Sequence, residues 1–186
     1  MSAHWPSVDN LTPEAQVKWI SGSWMILNPP VDVPMRQSQA QAAAHQFGTA
    51  VELELKSMVF EKFRDCVSQC SGLRSLVENK SSWGEDEKFF KFLVSQPPMK
   101  MPLGQMHRAF EDCKKSKGEL LRKFNRWVQE NRPALLKNLW VLKKICNIHN
   151  PAKHDGSIPI ANAERMPHLC RKFLSALLSS PQRRTS

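Results

Sequence analysis

Between Lys143 and Gly156 the chain reads Lys-Lys-Ile-Cys-Asn-Ile-His-Asn-Pro-Ala-Lys-His-Asp-Gly. Two imidazoles, two carboxamides, three lysines and one carboxylate crowd into fourteen positions. A histidine can accept or donate a proton near neutral pH. Asn150 can hydrogen-bond a phosphate or fix a ring tautomer. Lys143, Lys144 and Lys153 supply positive charge where a phosphate would gather negative charge. His154, Asn150 and His149 are therefore the candidate catalytic residues. The chemistry they point to is metal-free phosphodiester cleavage, in which a ribose 2′-hydroxyl attacks its own phosphate. The same residues also suit a plain helix C-terminus, where histidines complement the dipole and cap carbonyls.

Zinc is a competing use of this region. Cys146, His149 and His154, with His168 and Cys170 further on, provide soft and imidazole ligands, although their spacing fits no tight zinc pattern. No resident metal or cofactor is expected. Outside the segment, Arg122, Lys123 and Arg126 lie off the apolar stripe of their helix and are candidate RNA-phosphate contacts. Trp127 and Trp140 stand among basic residues and could stack bases. Their spacing with leucines favours core packing instead.

The elements that must position these groups read as helices. Residues 1–36 look like an irregular arm with Trp5, Trp19, Trp24 and five prolines, allowing one short helix after Thr12-Pro13-Glu14. Pro29-Pro30 and Pro34 are expected to end local structure. Residues 37–70 carry Phe47, Val51, Leu55, Met58, Val59, Phe63, Cys66, Val67 and Cys70 at three-to-four spacing, the stripe of a long helix that stops at Ser71-Gly72. Within it, Glu52 and Lys56 form an i,i+4 pair. A loop follows at Ser81–Gly84, then a short helix from Asp86 to Val94. Pro102-Leu103-Gly104 opens another, weakened at Lys117-Gly118 and resumed by Leu120, Leu121, Phe124, Trp127 and Val128. Asn131 and Pro133 start the next, and Pro151 marks its expected end. Asp155-Gly156-Ser157 reads as a turn. A last helix covers about 161–178, and 181–186 form a tail. The reading is all-α: an arm at 1–36, a helical bundle at 37–180, and the tail.

Composition narrows the rest. The 186 residues are 41% hydrophobic and 24% charged, enough for a core. No apolar run is long enough to span a bilayer, and no signal peptide is visible. Five cysteines without a leader read as reduced thiols in a cytoplasmic protein. Nucleotide-binding glycine loops are missing from the sequence. The net charge of +10 is uneven: residues 1–99 sum to −2 and residues 100–186 to +12. Such asymmetry points to a polyanionic partner, most often nucleic acid.

The segment His149-Asn150-Pro151-Ala152-Lys153-His154-Asp155-Gly156 resembles the motif of the HEPN superfamily, written R-N-x-x-x-H-G. Val51-Glu-Leu-Glu-Leu-Lys56 is similar to the E-x-x-L-K of that family's first bundle helix. Met101-Pro-Leu-Gly-Gln-Met106 is similar to a recurring helix opening. The resemblance covers about residues 40–178. It implies a HEPN-like bundle of four or more helices, and a homodimer with two motifs facing across a cleft. It also implies a metal-independent endoribonuclease of a toxin–antitoxin or antiphage-defence type, with an antitoxin or other protein as partner. His154 matches the family histidine and Asn150 its polar neighbour, while His149 stands in place of the arginine. An arginine grips phosphate through a charged fork, which a histidine does not offer. Two readings therefore stand: a ribonuclease using His154 and Asn150, and a degenerate module that binds RNA or a protein partner without cleaving.

Overall fold

A computed structural model describes residues 8–78, 87–95, 100–115, 118–154 and 157–179. Among these residues there is no strand, and the fold is all-α. A 3-10 turn at Val8–Asn10 leads into α1 (Pro13–Leu27) and α2 (Val33–Leu55). A π-helical segment, Lys56–Glu61, carries α2 directly into α3 (Lys62–Gln69). Then come α4 (Ser71–Glu78), α5 (Glu87–Val94), α6 (Leu103–Lys115), α7 (Glu119–Asn131), α8 (Pro133–Lys137), α9 (Leu139–Lys153) and α10 (Ile160–Leu178).

The amino-terminal region is more regular than its composition implies. Its prolines sit at helix boundaries. Pro13 takes the first turn of α1, where a missing N–H costs nothing. Asn28 closes α1, with both its amide groups donating to the Trp24 carbonyl. Asp32 caps α2 by accepting from the Met35 N–H at 2.9 Å, and Pro34 lies in the first turn of α2 rather than ending structure. The expected boundary at 36/37 thus falls inside α2. Small residues let the two helices approach closely: a Cβ on Gly22 would stand 3.1 Å from the Phe47 ring and 3.2 Å from the Ala43 carbonyl. Trp19 packs edge-on against Phe47, ring centroids 4.9 Å apart, and is buried.

The long stripe beginning at Phe47 is a real helix face. Phe47, Val51, Leu55, Val59, Phe63 and Val67 are all buried. The face is not one uninterrupted α-helix, because a π turn sits in its middle. Phe60, within the π turn, and Phe63, just beyond it, enter an aromatic cluster with Phe89 and Phe92 of α5, Phe110 of α6 and Phe124 of α7. Phe63 and Phe124 lie 4.9 Å apart, as do Phe89 and Phe124. Edge-to-face pairs of this kind add about 0.5–1.5 kcal/mol each beyond burial.

Other expectations need correcting. Cys70 leaves the helix in an extended conformation and is exposed, so it does not extend the core stripe. Its neighbour Ser71 opens α4, a helix that the sequence reading did not anticipate. Asn131 ends α7 and donates to the Trp127 carbonyl instead of capping α8. Pro151 does not end α9, which runs on to Lys153. A proline in the last turn removes one N–H but leaves the following ones free to bond, and His154 N–H donates back to the Asn150 and Pro151 carbonyls. Trp5, the Ser81–Gly84 loop, Asp86, Lys117, the Asp155-Gly156 pair and the 181–186 tail lie outside the described residues.

Candidate nucleic-acid interface

The last turn of α9 divides the sequence motif between the interior and the surface. α9 packs on α2, α6 and α10. Its inward positions are Leu139, Val141, Leu142, Ile145, Cys146, Ile148, His149 and Ala152. His149 is 1% exposed, whereas Asn150, Lys153 and His154 are exposed. The candidate catalytic residues therefore do not share one surface. His149 lies against α2, Asn150 lies against α6 beside Gly104, and His154 caps the end of α9.

Inside, His149 belongs to a polar knot. Its ring stacks on His45 at 5.1 Å and 11°, and its Nε2 stands 3.8 Å from Oε2 of Glu52. Glu52 also accepts from the Leu103 N–H at 2.9 Å, holding the start of α6. One carboxylate thus ties α2 to both α6 and α9. Lys56, expected to pair with Glu52, instead pairs with Glu61 at 3.4 Å across the π turn. Burial pushes the Glu52 carboxyl up, but His149, the Leu103 N–H and Lys153 outweigh it and hold the group below its usual range. His45 is lowered, first by burial and then by His149 and Lys153. Neither nitrogen of His149, nor Nδ1 of His45, has a hydrogen-bond partner among the described residues.

This knot was legible only in part. His45, Gly48 and Glu52 recur at i, i+3 and i+7, a single helix face, so a polar stripe toward a neighbouring helix was there to be read. What closes it is the absence of a side chain on Gly48, which admits the imidazole.

The zinc reading gains nothing. Among the described residues no group of three or more His, Cys, Asp or Glu side chains is arranged to hold a metal ion. His154 and His168 face solvent. Cys146 is buried, its thiol pushed up to about 12 by burial and by Glu52. Cys170 is buried too, with its Sγ 3.8 Å from the Phe47 carbonyl, and burial raises it further. High thiol pKa values oppose the thiolate that a metal needs.

The basic candidates form two sets on separate helices. On α7, Arg122, Lys123 and Arg126 are exposed. Lys123 pairs with Glu119 at 3.4 Å and Arg126 with Glu130 at 3.8 Å, both within the helix. On α9, Lys143, Lys144 and Lys153 are exposed. Here the sequence reading of the tryptophans splits. Trp127 packs on Phe63, as core spacing implies. Trp140 is 48% exposed. The Lys144 ammonium lies 4.9 Å from the Trp140 ring centroid, and that of Lys172, from α10, lies 4.4 Å from it. Nothing in the sequence pairs Lys172 with Trp140; the packing of α10 on α9 does.

No protein-family model, curated protein or solved structure matches this chain. No helix among the described residues is long and apolar enough to cross a membrane.

Proposed function

We propose that this chain is a helical RNA-binding module that does not cleave what it binds, with Trp140, Lys144 and Lys172 at the centre of its contact surface. The observation that carries the reading is the half-exposed indole of Trp140 flanked by two ammonium groups. Both ammonium groups lie over the ring, so a base stacks on the indole by displacing one of them, and the displaced cation meets a neighbouring phosphate. Lys143 and Lys153 extend the same positive helix, in the half of the sequence that carries +12. Burial of His149 argues against catalysis, because a ring at 1% exposure cannot reach a phosphate where the motif places its arginine.

The ribonuclease reading keeps one specific support. Asn150, Lys153 and His154 are all exposed at one helix end, so an acid–base histidine with a neighbouring cation is accessible there. One experiment separates the two. Purified protein is incubated with single-stranded RNA in EDTA, beside Trp140→Ala and His154→Ala. The binding module gives a shifted band, lost in Trp140→Ala and kept in His154→Ala, with the RNA intact. Fragments ending in cyclic or 3′-phosphate that vanish in His154→Ala would establish the nuclease instead.

A further inference from the structure

The outer face of α1 carries Val17, Ile20, Trp24 and Leu27, each 59–78% exposed. Their spacing is three, four and three residues. At 100° per residue they fall within about 80° of arc, opposite the buried Ala15, Trp19 and Gly22. Gln16 and Ser23 border the stripe on one side, Ser21 and Asn28 on the other, and the nearest charge on the helix is Glu14, one turn before Val17. Past the end of the helix Val31, Val33 and Met35 are also exposed, at 62–101%, beside Asp32 and Arg36. The four α1 residues present roughly 500 Å², the size of the largest and often functional apolar patch on a monomer, and a two-fold pair of them buries about 1,000 Å² in all, the lower bound for a specific interface.

We infer that α1 is a homodimerisation helix, whose occupant is α1 of a second copy of this chain, running antiparallel. The stripe is self-complementary under a two-fold axis level with Gly22: Val17 meets Leu27 and Ile20 meets Trp24, each contact made twice. The spacing is that of a two-helix seam. Ser21 and Ser23, small and beside the axis, let the backbones approach. Charge favours the same pairing. The +12 excess belongs to residues 100–186, while residues 8–36 hold only Asp9, Glu14, Lys18, Asp32 and Arg36, so two copies meet through their near-neutral parts.

Sedimentation of the full chain at micromolar concentration in reducing buffer tests this. The expected mass is twice 21.3 kDa. Ile20→Glu and Trp24→Glu should each return the protein to one chain mass, raising the dimer dissociation constant at least about a hundredfold, the effect of losing a central anchor. An unchanged thermal melt of the α-helical signal certifies that both variants fold. In a Cys70→Ser background, an Ile20→Cys copy mixed with a Trp24→Cys copy should crosslink more readily than either alone, which fixes the antiparallel register. A monomeric wild type, or a dimer indifferent to both Glu substitutions, overturns the inference.

Discussion

The imidazole of His149 occupies the space that a side chain on Gly48 would fill: a Cβ built there stands 2.1 Å from Nδ1. α2 and α9 are in register at this point, and the glycine is the condition for it. Gly48→Ala should therefore destabilise the fold, although alanine is the better helix former by about 1 kcal/mol. Overpacking of this kind costs about 1–3 kcal/mol. For a chain of this size, that lowers the melting temperature by roughly 2–12 °C. The double variant Gly48→Ala/His149→Ala should recover most of the loss, because the clashing ring is gone. A melt of the single and double variants by circular dichroism reads both effects.

Acid should weaken the protein in two stages. His45 and His107 are both held below their ordinary 6.5 mainly by burial, His45 also by His149, Lys153 and Lys18 against the pull of Glu52. A histidine with a depressed pKa binds fewer protons folded than unfolded, so stability is lost as pH falls below about 6.5. Glu52, held below its ordinary 4.5, adds a further loss below that pH in the same direction. Urea midpoints measured between pH 8 and pH 3 should fall steadily, and His45→Gln should shrink the first stage to the share of His107 while leaving the second.

Glu54 reaches across from α2 to start α1. It is 1% exposed and accepts from the Thr12 N–H, the residue that precedes α1 and whose hydroxyl makes no cap of its own. A carboxylate at a helix N-terminus is favoured by the dipole as well. Glu54→Ala takes the acceptor from that part-buried N–H and should cost about 1.5–3 kcal/mol, the value of a hydrogen bond to a charged group. Amide exchange should speed up first in the opening turn of α1. An unaltered exchange pattern in α1 would show that the cap is not what holds this end.

RNA affinity should separate stacking from charge. Trp140→Ala should weaken binding roughly 5- to 150-fold, the value of one stacked base. Lys172→Gln should weaken it evenly across sequences and lower the salt slope by about one. Trp127→Ala should instead lower stability and leave the salt slope unchanged, since that ring packs on Phe63.

Much of the fold can be read from residue order, and the exceptions have physical reasons. The Phe47-to-Val67 stripe is visible because burial repeats every three to four residues. The start of α1 is legible at Thr12-Pro13-Glu14, but its full length and the early start of α2 are not, because the following prolines look like loop composition when they are helix punctuation. Pro151 misleads for the opposite reason, being tolerated within a last turn. At the site, the basic character of α9 is legible, but the burial of His149 is not. That depends on Gly48 and Glu52, about a hundred positions upstream, which only tertiary packing brings to it. Trp140 and Trp127 both fall at helical spacing with leucines in a basic stretch, yet one is half-exposed and the other packed on Phe63.

The π turn at Lys56–Glu61 gives the long helix a phase to keep. Upstream, Gly48 and Glu52 must face α9 and α6; downstream, Phe60 and Phe63 must face the aromatic cluster. A wider turn accommodates one surplus residue between these two obligations. Deleting one residue there would convert the π turn to regular α-helix with both flanks still facing their partners, whereas inserting one would turn everything beyond it by about 100° and send Phe63 away from the cluster. The length of this helix, and not only its composition, is therefore under constraint: chains sharing the fold should lose one residue between Glu52 and Phe60, straightening the turn, far more readily than gain one.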